Sequence, residues 1–399
     1  MTLDAGPLST EKMVLNMGPS HPATHGTLRV ILEMDGEVIT KATPEIGFLH
    51  CGFEKLGEHL DYNQYVTVTD RMNYISPMCN NVAYTVSAEK LFGLEIPKRA
   101  QYIRVLMCEL SRIADHLVQI GMQAVDIGAF TVFLYGFRYR EKIYDLFEWV
   151  TGTRLTTSYT RVGGLMRDLP ENFIPKAHDL LDQLPDTLKE IDGLLSHNQI
   201  WLNRTRFIGP ISHDDAIAYG LTGPVARAAG VDYDLRVREP YSSYEDFDFD
   251  VIIGENGDVY DRYMVRMNEM WESLKICRQV LENLPGGPVN IDADSKYILP
   301  PRQEVFNSIE GLIHHFMMTM ENRGLIPPVG EAYVPTESPN GELGFFIVSD
   351  GGREPYRVRT RPPSLINYSA FTKMTEGMMI ADAVAILGSL NVIAGELDR

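Results

Sequence analysis

From Pro97 onward the chain carries Ile103, Leu106, Leu110, Ile113 and Leu117 at helical spacing, with no glycine or proline before Gly121. Apolar side chains recurring every three to four residues line one face of an α-helix, and that face must find cover. A helix this long needs packing partners along its whole length, so the run predicts a bundle. A second helical stretch carries Phe130, Phe133, Phe137 and Ile143. Further helices are predicted over residues 177–196, 259–283, 303–322 and 370–391. Leu284-Pro285-Gly286 marks the end of the 259–283 helix, and Pro185 is expected to kink or split the 177–196 helix.

Strand patterns flank this core. Residues 12–16 and 27–34 read as strands, and in the second Leu28, Val30 and Leu32 alternate with other residues. Asp35-Gly36 is a hairpin turn that leads into residues 37–41. A second hairpin is predicted from residues 344–348, the turn Asp350-Gly351-Gly352, and residues 356–360. The expected fold class is α+β: a mainly helical bundle with small N-terminal and C-terminal β elements. The expected division is 1–96 as an N-terminal α/β region, 97–330 as the bundle, and 331–399 as a β hairpin with a buried helix.

Composition narrows the function. The formal net charge of −18 over 399 residues opposes nucleic-acid binding and adhesion to an anionic membrane surface. Residues 1–10 show no apolar core of a secretory signal, which favours a peripheral protein on the cytoplasmic side. The apolar stretch Gly377 to Gly395 contains Asp382, and a carboxylate at a bilayer centre costs about 2.5–3.5 kcal/mol. It reads as a buried core helix. Cys51, Cys79, Cys108 and Cys277 include no C-x-x-C pair, so four reduced thiols are expected.

Few segments carry chemistry. The loop "GPSHPATHG", Gly18 to Gly26, holds His21 and His25 between the first two strands. Zinc needs three or four ligands and the loop offers two; turn-forming and proton-handling roles stay open. Asp126 sits in the apolar run "QAVDIGAF", where an unpaired carboxylate is costly; Arg138 or Lys142 is its expected structural partner. "DRMNY", Asp70 to Tyr74, follows a strand-like run and reads as a solvated corner. "VGGL" lacks the spacing of a dinucleotide loop, and no phosphate-binding loop is present.

Taken together, "NMGPSHPATHGTLRV", "GFLHCGFEK", "TDRMNY", "DIGAFT", "ESPNGELGFFIVSDG" and the ending "GELDR" resemble the D subunit of bacterial respiratory complex I, the proton-pumping NADH:quinone oxidoreductase. The resemblance runs in order along essentially the whole chain. That family shares its fold with the large subunit of nickel–iron hydrogenases, whose metals are held by two C-x-x-C pairs. Here the first pair would fall near Asn73 and Ser76, and the second would follow Asp398, where only Arg399 stands. Without thiolates a nickel–iron centre has no ligands. Active hydrogenase chemistry is therefore excluded.

The resemblance implies that the vacated cavity takes a quinone headgroup, menaquinone or ubiquinone, facing His25 and Tyr74, with Asp126 as the carboxylate partner of His25. It implies no metal or cofactor on this chain. The electron donor would be a 4Fe-4S cluster in a small Fe-S partner subunit, with Cys51, Arg71 and Arg154 nearby. Further implied partners are the C subunit of the same complex, a ferredoxin-like two-cluster subunit, and a membrane subunit forming the quinone channel. Relatives carry His at the position of Thr156, and many carry Arg at Cys51; both losses would lower the cluster potential and suit menaquinone. A non-catalytic scaffold in a ferredoxin-fed, hydrogenase-like complex is the competing reading.

Overall fold

A computed structural model of the chain describes residues 12–24, 26–292, 296–320 and 323–399. It is a mixture of helix and small antiparallel sheets, in agreement with the expected class. Strands β1 (Lys12–Met17), β2 (Arg29–Asp35) and β3 (Val38–Glu45) form one sheet in sequence order. Lys12 pairs with Asp35 at one end of the first ladder. Val30, Leu32 and Met34 point from β2 to one buried face. That face packs on Phe371, Ile386 and Leu387 from the far end of the chain.

The bundle begins with α1 (Pro77–Phe92), which the strand and turn patterns of residues 1–96 did not predict. The long helix α2 (Lys98–Ile127) runs straight through Gly121 and ends on Gly128 at φ 102°, a left-handed cap that glycine adopts without strain. Gly121 has a packing reason, since a Cβ there would sit 3.2 Å from the Phe133 Cα. It lets α3 (Phe130–Thr151) fold back closely along α2. Helix α4 (Phe173–Leu195) continues through Pro185, so of the expected kink or split the split does not occur. Helix α5 (Val259–Glu282) ends where the Leu-Pro-Gly signal begins.

Two predicted helices are broken. Residues 303–322 divide at Ser308, whose hydroxyl caps the second piece by accepting from the Gly311 N–H at 3.1 Å. Residues 370–391 divide because the chain leaves helix to pair with β3: Gly377 N–H donates to the Ile39 carbonyl at 2.8 Å. The C-terminal hairpin has an unpredicted first strand. Strands β4 (Gly330–Ser338), β5 (Gly341–Ser349) and β6 (Arg357–Arg361) form a second antiparallel sheet. The chain closes with α6 (Ile380–Leu390) and the short α7 (Ala394–Asp398). No helix among the described residues is long and apolar enough to cross a membrane.

An ionic network fixes α2 against α5 and β4. Arg227 donates to Glu269 at 2.7 Å and to Glu337 at 2.8 Å. Arg236 bonds Asp234 at 2.7 Å and reaches Glu109 at 3.3 Å; Glu109 also accepts from Ser273 at 2.6 Å. His116 Nε2 lies 2.9 Å from Glu269. Burial pushes the Glu269 carboxyl up, but the Arg227 guanidinium and His116 outweigh it and hold the group below the usual carboxylate range. Arg227→Ala should therefore destabilise the chain by about 3–5 kcal/mol, because it strands two buried carboxylates. Thermal unfolding of the assembled protein measures this. The loss should change little with added salt, since buried pairs are weakly screened.

Candidate functional site

The C-terminal turns of α2 come together with the end of the N-terminal loop, the Tyr74 segment, α6 and the tail that follows it. Between them lies a cavity of about 200 Å³. An apolar cavity of about 150 Å³ holds one benzene ring, so this space suits a single substituted ring. Ile75, Val118, Met122, Leu387, Val392 and Ile393 supply its apolar wall; Tyr74, Gln119, Asp126 and Asn391 supply its polar groups. The structure thus brings Tyr74 and Asp126 to one cavity. His25 lies outside the described residues, although Thr27 and Leu28, just beyond it, line the same space.

The loop ahead of His25 is anchored. Thr24 is fully buried, and its hydroxyl donates to the His21 carbonyl at 2.9 Å. The Leu28 N–H donates back to the Thr24 carbonyl at 3.2 Å. His21 Nδ1 accepts from the Ala23 N–H at 3.2 Å, which leaves the proton of the neutral ring on Nε2.

Asp126 occupies the last turn of α2, close to Gly388 of α6. A Cβ on Gly388 would come within 3.3 Å of its Oδ2. Oδ2 is buried with no hydrogen-bond partner among the described residues. Burial pushes the carboxyl up to about 6, and the charge of His21 opposes that shift. The negative end of the helix dipole acts in the same sense as burial. Tyr74 is 37% exposed, yet the protein around its hydroxyl still pushes its pKa up through lost solvation.

Several expectations change. Neither Arg138 nor Lys142 serves Asp126: Arg138 pairs with Glu190 at 3.2 Å, and Lys142 bonds Gln183. Residues Val66–Thr69 form a helical turn, not a strand, and Asp70 is fully buried, not solvated. Its carboxylate accepts from Asn81 at 2.8 Å and from the Ser158 N–H at 3.0 Å. Cys51 and Arg71 are exposed. Arg154 is also exposed, and its guanidinium is held by Glu141 at 2.5 Å and Asp145 at 3.7 Å. Asn391, Gln119 and Gly388 are cavity residues that sequence reasoning missed; for Asn391 and Gly388 the small and polar residues inside the otherwise apolar C-terminal run were the available signal.

The tail organises this region. Asp398 accepts from the Gly47 N–H at 2.9 Å and the Leu49 N–H at 2.6 Å, beside Cys51. Gly395 presses on the loop before Tyr74, where a Cβ would meet the Arg71 carbonyl at 2.6 Å. Asn73 and Ser76 are buried on this side of α1. Among the described residues no group of three or more His, Cys, Asp or Glu side chains is placed to hold a metal ion.

A family model described as the respiratory-chain NADH dehydrogenase 49 Kd subunit matches residues 126–399, which sets the chain among respiratory-chain oxidoreductase subunits. Curated relatives extend the match to nearly the full length. The NADH-quinone oxidoreductase D subunit of Geotalea uraniireducens is 54% identical over 98% of this chain and 100% of its own. The D subunit of Geobacter sulfurreducens is 52% identical over the same shares. That of Myxococcus xanthus is 49% identical over 98% of this chain and 94% of its own. The chain belongs to the family of complex I D subunits. It is one part of a multisubunit NADH:quinone oxidoreductase, and other complex I subunits are its partners.

The raised Asp126 carboxyl has a consequence for stability. Its pKa is about 6 in the fold and 3.8 as the reference value, so the folded chain binds more protons between these limits. Stability conferred on the neutral form is then lost as pH rises through this window. Asp126→Asn should raise the melting temperature at pH about 8 and leave it unchanged at pH about 4. Equal effects at both pH values would show that Asp126 is not held neutral by burial.

Proposed function

We propose that this cavity receives the headgroup of a quinone and that the chain is the quinone-reducing subunit of its complex, with reduction driving proton translocation. The observation that carries the reading is the pairing of Tyr74 with a carboxyl raised to about 6 in one ring-sized cavity of mainly apolar wall. Two-electron reduction of a quinone consumes two protons at its carbonyl oxygens. The Tyr74 hydroxyl donates a hydrogen bond to one oxygen, and that bond strengthens as negative charge builds there. His25 serves the other oxygen. Asp126 orients His25 and raises its pKa toward neutrality. The apolar wall excludes water and seats the ring and the start of its isoprenoid tail.

The electrons arrive from a 4Fe-4S cluster held by a small Fe-S subunit, which packs on the face bearing Cys51 and Arg71. By the family resemblance, Thr156 stands where other members carry His and Cys51 where many carry Arg, which would lower the potential of that cluster and favour menaquinone. The quinone channel is completed by a membrane subunit, and the C subunit and a two-cluster ferredoxin-like subunit pack alongside. The chain then sits peripherally on the cytoplasmic face of the membrane. A bare scaffold would have no use for a ring-sized cavity that sets a tyrosine hydroxyl and a buried carboxyl side by side.

The test is quinone reduction by the assembled complex, with NADH-driven reduction of its iron–sulfur clusters as the control. Tyr74→Phe should raise the quinone KM several-fold, the equivalent of one hydrogen bond contributing about 0.5–1.5 kcal/mol. His25→Ala should cost more. Asp126→Asn should shift the pH optimum downward by lowering the His25 pKa. The double variant His25→Ala with Asp126→Asn should lose less than the sum of the single losses. Strict additivity would separate the two residues, and an unchanged KM in Tyr74→Phe would remove the headgroup from this cavity.

A further inference from the structure

Asp115, Gln119, Met122, Gln123 and Asp126 recur along one face of α2. The polar members of this row form a seam that leads inward from the cavity. Gln119 Nε2 donates to Gln123 at 3.0 Å and to the Gly388 carbonyl at 2.8 Å. Asn391, whose side chain also reaches the cavity, donates to Asp115 at 2.7 Å and contacts Asn340. Glu396 follows within α7, its carboxylate accepting from the Ser364 N–H at 3.2 Å.

The seam is under-bonded. Asp126 Oδ2, Gln123 Nε2, Gln119 Oε1 and Asp115 Oδ2 are all buried without a hydrogen-bond partner among the described residues. Buried polar atoms are almost always satisfied, and a contiguous set of orphaned donors and acceptors is where ordered water bonds. We propose that a file of water threads this seam, from Glu396 past Asp115, Gln119 and Gln123 to Asp126, and carries to the cavity the protons consumed when a quinone headgroup is reduced there. The inference rests on the functional reading above.

The balance is simple. Two electrons originating in NADH enter the headgroup and two O–H bonds form; the two protons come from bulk water, passed one at a time into the seam by Glu396, which is reprotonated between passages. Glu396 suits the inner end. Burial pushes its carboxyl up to about 7, the Ser364 and Asn340 donors oppose that, and the Asp115 charge adds to it. Around Asp115 stand Arg140 and Tyr144 from α3, Arg266 from α5 and His116 beside it on α2. His21, from the N-terminal loop, acts on Asp126 at the cavity end. Glu396 therefore holds its proton below about pH 7 and releases it above.

The experiment compares Glu396→Gln, Glu396→Asp and Gln123→Leu in the assembled complex, using a short-chain quinone and, as control, a soluble acceptor that takes electrons ahead of the quinone. Glu396→Gln should lower kcat for quinone about tenfold, a modest share of what proton transfer contributes to catalysis, with KM within about twofold of wild type. It should also raise the solvent deuterium isotope effect and abolish the fall in kcat above about pH 7. Glu396→Asp should restore most of the rate. Gln123→Leu, which dries one link without removing a charge, should raise the isotope effect in the same way, and it decides the matter alone if Glu396→Gln fails to assemble. Unchanged kcat, isotope effect and pH profile would overturn the seam, as would a rise in KM in place of a fall in kcat. If Tyr74→Phe still raises KM while the seam variants are silent, only the seam falls; if Tyr74→Phe is silent, the quinone reading itself falls.

Discussion

The Arg227 guanidinium, bound to Glu269 on α5 and Glu337 on β4, is the contact on which the rest of the structure depends. Its network carries Arg112 and Arg236 through Glu109, so α2, α5 and β4 are tied at one buried place. Charges out of water tolerate little misplacement, because a displaced partner leaves its mate uncompensated. Apolar packing alone would let α2 slide or rotate by a residue. The network fixes its rotation. With that rotation set at Glu109, Arg112 and His116, the later turns of the same helix can only present Gln119 and Asp126 to α6 and the cavity.

The cavity end obeys a different electrostatic logic. The interior network places opposite charges together and drives Glu269 firmly into its ionised form. At Asp126 a carboxyl is buried at the negative end of a helix with His21 as its described counter-charge, and it is left near 6. The bundle therefore carries a permanently ionised structural carboxylate on α5 and, on α2, one that changes state near physiological pH. The tail makes this arrangement possible: Gly388 allows α6 to approach Asp126, and Asp398 holds the loop before α1 by two backbone N–H groups.

Local periodicity made the long helices legible, because α2, α3 and α5 present apolar rows that any tertiary context must cover. It failed where the decisive partner lies far away in sequence. The break in residues 370–391 comes from pairing with β3, which no local pattern shows. The strand β4 was missed although Asn340-Gly341 is a hairpin signal, because Pro335 interrupts its run and a proline argues against a strand. Glu109, Arg112 and Arg236 are charged residues that a local reading gives to solvent; only the fold shows that they meet one another. Asp126 stood out because an acid in an apolar run is conspicuous, yet its expected mates Arg138 and Lys142 point to α4 instead. Tyr74 emerged from the family resemblance and not from spacing, since one tyrosine in a polar pentapeptide has no periodic signature.

The cavity is bounded by the Asn73–Ser76 segment on one side and the tail on the other, and its described lining offers a soft metal no thiolate. Asn73 and Ser76 are buried, and the Asn73 Nδ2 and Ser76 Oγ atoms have no partner among the described residues. Neutral amides and hydroxyls at these places cannot replace thiolates as ligands for a soft metal. They leave a space whose donors are weak and whose adjustable charge, among the described residues, is Asp126. A ligand that enters uncharged and acquires negative charge only during reaction fits that balance. It costs little desolvation on entry, and it meets Tyr74 and a protonatable carboxyl only when charge develops. A permanent anion would have to be stripped of water against a chain of net charge −18 before finding any such compensation.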